Sequence, residues 1–139
     1  MYYIKTEQSF DAAHFLKNHT EKCHNLHGHR WRVVIELASE TVEVDGPSKG
    51  MIIDFTDIKN DLKALCDYLD HAFIYEKGTL KELTIEALKS EDFRLVELEI
   101  TPTAENLAKY FYDKLKSDKY PIHRVEVYET PNNMAAYEV

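Results

Sequence analysis

Four of the seven histidines in this 139-residue chain fall between residues 19 and 29. The pair in His27-Gly28-His29 carries the sharpest chemical signal. In an extended strand, residues two apart point to the same face, so both imidazoles would project together with Trp31 and Val33, the apolar side. Two imidazoles on an inward face need partners, and one metal ion satisfies both. Gly28 between them leaves room for another backbone or a ligand to come close. His14 is the natural third donor. It follows Phe10 and Ala12 at even spacing, and a hairpin pairing residues 2–14 with 29–38 would set it beside His29. Three neutral imidazoles and no thiolate form the ligand set of a catalytic zinc with one open position; a structural zinc is normally closed by four ligands, often cysteines. The H-x-H pair alone also fits two satisfied interior histidines, and the in-register third histidine is what favours the metal. His19 and His24, in a polar loop, read as solvated side chains. A closed Cys23-His24-His27-His29 site is conceivable, although the spacing matches no common zinc knuckle or finger. H-x-H also opens some metal-dependent hydrolase barrels, which need upwards of about 200 residues.

Two further groups could do proton chemistry. Cys23 lies four residues before His27. A thiol beside a cation and a histidine has its thiolate favoured, which makes it a candidate base or nucleophile, whereas an isolated loop cysteine is more often inert. Asp70-His71 sets a carboxylate next to an imidazole, which can raise the basicity of the ring. The plainer account of that pair is a histidine facing the dipole of a helix C-terminus, and residue physics alone favours it. Cys66 belongs to an apolar helical stripe and reads as core.

The elements that would position these groups follow from periodicity. Residues 2–14 alternate as a strand, Ile4, Phe10 and Ala12 against Lys5, Glu7 and Asp11. Residues 29–38 alternate more strongly, Trp31, Val33, Ile35 and Leu37 against Arg30, Arg32 and Glu36. A long polar loop, Lys17 to Asn25, joins the two, and Asp45-Gly46-Pro47 signals a turn after the second. Asp54 is placed to cap a helix from Phe55 to about Leu69, with Phe55, Ile58, Leu62, Leu65, Cys66 and Leu69 on its apolar face. Residues 78–92 are ambiguous, with Leu80, Leu83 and Leu88 allowing a short helix, and Val96, Leu98 and Ile100 suggest extended chain. Thr103 should cap a second amphipathic helix bearing Leu107, Tyr110, Phe111 and Leu115. His123 to Thr130 then reads as a strand through Val125 and Val127. The order is that of an α+β domain with helices on one face of a mostly antiparallel sheet.

Size and charge narrow the function. A single domain spanning residues 1–139 can bury a real core, roughly two thirds of its unfolded surface. Acidic residues outnumber basic ones 25 to 17, for a net charge of −8, which argues against a nucleic-acid partner. It leaves room for an anionic small molecule in a locally basic pocket. No apolar run reaches membrane-spanning length, and the N-terminus lacks the layout of a signal peptide, so a cytoplasmic protein with two free thiols is expected.

Several motifs recur in family order along nearly the whole chain: F-D-A-A-H (10–14), C-H-N-L-H-G-H (23–29), G-M-I-I-D-F (50–55), L-D-H (69–71), P-T-A-E-N-L-A (102–108) and V-Y-E-T (127–130). By these the chain resembles the 6-pyruvoyltetrahydropterin synthase family, which includes the 6-carboxytetrahydropterin synthases of queuosine biosynthesis. The segment from about Glu76 to Ile100 has no counterpart of that length in compact bacterial members. The resemblance implies a tunnelling fold (T-fold), a four-stranded antiparallel sheet with two helices on one face. It implies trimers closing a barrel, two of them stacked as a homohexamer, with active sites between subunits. It implies Zn2+ on His14, His27 and His29, and Cys23 as the proton-abstracting base with Asp70 and His71 as a relay. Glu129 would anchor the pterin, and Thr103 and Glu105 would make further substrate contacts. The C-x-x-x-H-G-H spacing is similar to that of bacterial carboxytetrahydropterin synthases. The implied reaction is therefore conversion of 7,8-dihydroneopterin triphosphate to 6-carboxytetrahydropterin, acetaldehyde and triphosphate. A longer cysteine-to-histidine gap would resemble animal pyruvoyl synthases, and E-x-x-H-G-H the makers of a folate precursor; here the corresponding position is His24. Lys17, Lys22 and Arg30 are nearby candidates for holding the triphosphate.

Overall fold

The computed structural model describes residues 1–117 and 119–139. Two thirteen-residue strands, β1 (Tyr2–His14) and β2 (His27–Ser39), pair antiparallel over their whole length. Their even positions in β1 and odd positions in β2 are the apolar ones, and that alternation selects the face that is buried. Phe10, Trp31, Val33, Ile35 and Leu37 lie on it, joined by Val125 and Val127 of β5 (Ile122–Thr130). The hairpin partner of β5 is β6 (Asn133–Glu138), turned through Pro131-Asn132, where the Thr130 hydroxyl accepts a hydrogen bond from the Asn133 N–H at 3.1 Å.

Helix α1 (Phe55–Leu69) packs on β1. It runs between the expected bounds, and the Asp54 carboxylate caps it by accepting from the Thr56 N–H at 2.8 Å. Ile58, Leu62, Cys66 and Leu69 form its buried stripe, each large side chain contributing about 1.5–3 kcal/mol of burial. Phe55, expected on that face, is instead 47% exposed. Helix α3 (Ala104–Leu115) covers β5 and β6, capped as expected by Thr103, whose hydroxyl accepts from the Asn106 N–H.

The expected four-stranded antiparallel sheet with two helices needs correction. Among the described residues the sheet is mixed and has six strands, in the spatial order β4 (Leu95–Leu98), β3 (Ala72–Glu76), β1, β2, β5 and β6. β3 runs parallel to β1, and β4 parallel to β3. Between them lies a third helix, α2 (Glu82–Ser90), which buries none of its residues. β3 escaped pattern reading because Ala-Phe-Ile-Tyr is a short apolar run without alternation, and Ile74 and Tyr75 are both buried. β6 escaped it because Met-Ala-Ala carries little strand preference. No helix among the described residues is long and apolar enough to cross a membrane.

Candidate active site

At the open ends of β1, β2 and β5, the inward face changes from apolar to polar. Pairing places His14 opposite His27, and His29 opposite Ala12, so His14 faces His27 directly rather than His29 as expected. All three rings still occupy one face, and the next inward position of β5 after Val125 and Val127 is Glu129. Donor atoms of His14, His27, His29 and Glu129 all lie within 4.8 Å of one another. His14 is 1% exposed, and Trp31 stands edge-on beneath His14 and His29, with ring centroids 4.9 and 5.5 Å away. Trp31 is itself held by an indole N–H donated to the Ala12 carbonyl. The cluster thus has an apolar floor that excludes water from below.

Backbone carbonyls fix two of the rings. The Nδ1–H of His14 donates to the Pro102 carbonyl at 2.8 Å, and that of His27 to the Asn25 carbonyl at 2.6 Å. Both Nε2 atoms are therefore lone-pair donors aimed at the centre, the orientation that outer carbonyl partners impose on metal-binding histidines. The two Nε2 atoms are 3.1 Å apart, and Glu129 Oε1 is 3.3 Å from Nε2 of both His14 and His29. A tetrahedral zinc with bonds of about 2.0–2.1 Å holds neighbouring donors about 3.3 Å apart. Facing lone pairs at these separations repel one another unless a cation joins them, so the residues fit a divalent metal. Burial above all makes His14 and His29 easier to deprotonate than an ordinary histidine; the Pro102 carbonyl, for His14, and Glu129, for both, pull the other way, and the neighbouring His27 adds to the lowering. For His14 and His29 that direction favours the neutral form that a metal requires.

Glu129 also belongs to a cavity of about 170 Å³ beside the cluster, lined by His14, Thr103 and Glu105 among others. The structure thus brings together the three residues expected to contact substrate and sets them against the histidines. It also carries Glu129 closer to the metal donors than its expected role required. The parity of β5 was the signal for that: Val125, Val127 and Glu129 share one face.

Asp70 and His71 lie on the opposite side of the sheet. The Asp70 carboxylate accepts from the Asp11 N–H and from His71 Nδ1–H, both at 2.8 Å. The Asp11 amide, then the His71 ring, hold the Asp70 carboxyl below the usual carboxylate range. His71 has a positive φ of 54° and donates its N–H to the Asp11 carbonyl at 2.6 Å. With Asp11, Ala13, Gly28, His29 and Arg30 it borders a cavity of about 550 Å³. A Cβ on Gly28 would meet only the Ala12 carbonyl at an ordinary 3.8 Å, so the close approach expected there is not made within this chain. Asp11, the third member of this outer group, stood in the F-D-A-A-H motif but was given no role, because its contact with Asp70 and His71 comes from the tertiary fold.

Cys23 sits half-exposed in the 3-10 turn Lys22–His24 of the loop between β1 and β2, and the donor cluster does not include it. His24 and His19 spend ring nitrogens on their own loop, His24 with the Lys17 carbonyl and His19 with the Glu21 N–H. Of the triphosphate candidates, Lys17 donates to the Thr79 carbonyl and Arg30 pairs with Asp11 at 3.4 Å.

A 6-carboxy-5,6,7,8-tetrahydropterin synthase from Haemophilus influenzae is 35% identical over 141 residues, covering 99% of each chain. One from Synechocystis is 33% identical over 139 residues, covering 99% of this chain and 93% of its own. Among solved structures, 6-pyruvoyl tetrahydropterin synthase of Caenorhabditis elegans superposes with a TM-score of 0.70 at 28% identity, over 99% of this chain and 95% of that one. The family model described as 6-pyruvoyl tetrahydropterin synthase matches residues 3–139. Three histidines on one face of the β1–β2 pair, with a glutamate near the end of β5, thus sit in a chain that belongs to the 6-pyruvoyl tetrahydropterin synthase family.

Proposed function

We propose that this chain is a zinc-dependent 6-carboxy-5,6,7,8-tetrahydropterin synthase, a lyase that converts 7,8-dihydroneopterin triphosphate to 6-carboxytetrahydropterin, acetaldehyde and triphosphate in queuosine biosynthesis. The observation that carries the reading is the cluster of inward Nε2 atoms spaced as a tetrahedral metal spaces its ligands. The family membership and the relatives' printed activity supply the substrate.

His14, His27 and His29 would hold the zinc. When bound, it supplies Lewis acidity toward the hydroxyls of the substrate side chain, making the adjacent C–H easier to ionise. Glu129 anchors the pterin by accepting hydrogen bonds from its amino-pyrimidine edge, with Thr103 and Glu105 lining the same cavity. Cys23 removes the proton from the side-chain carbon. Asp70 fixes the His71 ring with Nδ1 protonated and leaves Nε2 free to accept or return a proton.

In a single chain the dyad and the histidines face opposite sides of the sheet, which favours an active site completed by a second subunit. The proposed assembly is a hexamer of two stacked trimers, each trimer closing a barrel edge to edge from single-domain subunits and so covering the exposed sheet edges. Incubating the zinc-loaded protein with 7,8-dihydroneopterin triphosphate tests the reading. Appearance of 6-carboxytetrahydropterin with acetaldehyde supports it. Pyruvoyltetrahydropterin as product would move the chain to the other branch of the family, and no turnover with zinc bound would reject catalysis on this substrate.

A further inference from the structure

We infer that Arg94 is a positioning residue for the Asp70–His71 dyad, and that delivering it is a role of the segment between Glu76 and Ile100. The inference rests on the part proposed above for His71 in proton transfer. Helix α1 ends at Leu69, where its last carbonyls have no partners within the helix. The Arg94 guanidinium supplies them: Nη1 donates to the Asp70 carbonyl at 3.0 Å and Nη2 to the Tyr68 carbonyl. A cation there also suits the negative end of the helix dipole. The backbone of the same residue holds the chain on the far side of His71, since the Arg94 carbonyl accepts from the Phe73 N–H at 2.9 Å.

One residue therefore grips the chain at 68, 70 and 73, bracketing His71. That position needs gripping. A left-handed backbone is unfavourable for a residue with a Cβ and persists only when its surroundings enforce it. The direction of the His71 ring follows from that backbone, and with it the Nδ1–H bond to Asp70. The preceding segment is built to make the delivery rather than to add core. Helix α2 buries none of its residues, and after it a second left-handed residue, Asp92 at φ 59°, turns the chain back into β4. Arg94 also borders the outer cavity with His71, so a direct contact to substrate phosphate is the rival role.

The test uses the full zinc-loaded chain and the variants R94A and R94K, read in two ways. One is steady-state turnover of 7,8-dihydroneopterin triphosphate. The other is the 15N spectrum of the His71 imidazole, which reports whether a single Nδ1–H tautomer is held. R94A should lower kcat about 10- to 100-fold, the scale on which small displacements of a catalytic group act. KM and zinc content should stay unchanged, and the His71 signals should move to averaged tautomers. R94K, able to serve only one carbonyl at a time, should fall between, and it decides the matter if R94A fails to fold. A wild-type His71 spectrum and kcat in R94A would overturn the inference, as would a raised KM with kcat intact, which would make Arg94 a phosphate contact. If the wild-type protein does not turn the substrate over, the proposed function fails, while the His71 spectrum still decides the role of Arg94.

Discussion

The two faces of β1 build their polar sites by different means. On the inner face, His14 meets His27 and His29 because thirteen residues of β1 pair with thirteen of β2 in one register. The rings need only be two residues apart, and carbonyls already present, those of Pro102 and Asn25, orient two of them. On the outer face, Asp70 and His71 are held by a helix end, a left-handed backbone, the amide of Asp11 and a guanidinium arriving from residue 94. The inner site is a property of strand geometry, and the outer one a property of tertiary contacts among segments far apart in sequence.

The comparison can be broken first at the metal. H27A should lower zinc affinity by more than the 10- to 100-fold lost with an outer partner of a ligand, and abolish turnover; metal titration with a competing chelator measures it. Zinc retained at wild-type affinity would remove His27 from the ligand set. On the outer face, D70N should cut turnover by about 10²–10⁴-fold while zinc binding stays unchanged, because the amide has one acceptor for two donors, the Asp11 N–H and the His71 Nδ1–H. Parallel loss of metal would show that the two faces are not separable. E129Q sits where the inner cluster meets the cavity. It should weaken pterin binding by about 1–3 kcal/mol in calorimetry, since an all-acceptor carboxylate becomes a mixed donor and acceptor. Unchanged affinity would take Glu129 out of the anchor role.

The smallest expected effects concern residues whose roles are structural. T103A should cost about 1 kcal/mol of stability in denaturant unfolding through loss of the α3 cap. A further change in pterin affinity, measured beside it, would show that the hydroxyl also meets substrate. The cysteines offer the mildest contrast. Burial pushes the Cys66 thiol up to about 12, whereas Cys23 is half-exposed in a loop. Alkylation of the folded protein at pH 8 should therefore mark Cys23 alone, as peptide mass mapping would read; modification of Cys66 would mean that α1 opens readily.

What could be read from the chain follows the same division. The alternation of Phe10, Ala12 and His14 against Trp31, Val33 and Ile35 was enough to put three histidines on one face, and Asp54 and Thr103 marked both long helices at their first residue. Asp70-His71 was visible as a pair, but its side of the sheet was not, because β3 lacks alternation and the left-handed turn at His71 carries no glycine to announce it. Arg94 had no signal at all: its partners are carbonyls, which every residue possesses. The six-stranded mixed sheet was hidden for a related reason. A buried parallel strand is a plain apolar run, and Ala72–Glu76 is too short to be told from a helix turn or a loop.

The register of β1 on β2 sets where this chain can vary in length. Inserting a single residue within either strand would turn every side chain beyond it to the other face, sending imidazoles outward and charged groups inward. The loop from Phe15 to Leu26 is bound by no such parity, since both of its ends are fixed by the hairpin and its interior makes its own turns. Lengthening it would change where Cys23 stands relative to the histidines without moving the histidines themselves. Cys23 and the histidine cluster can thus diverge independently, and a scaffold of fixed imidazoles can be offered a different loop side chain, at a different reach, by loop length alone.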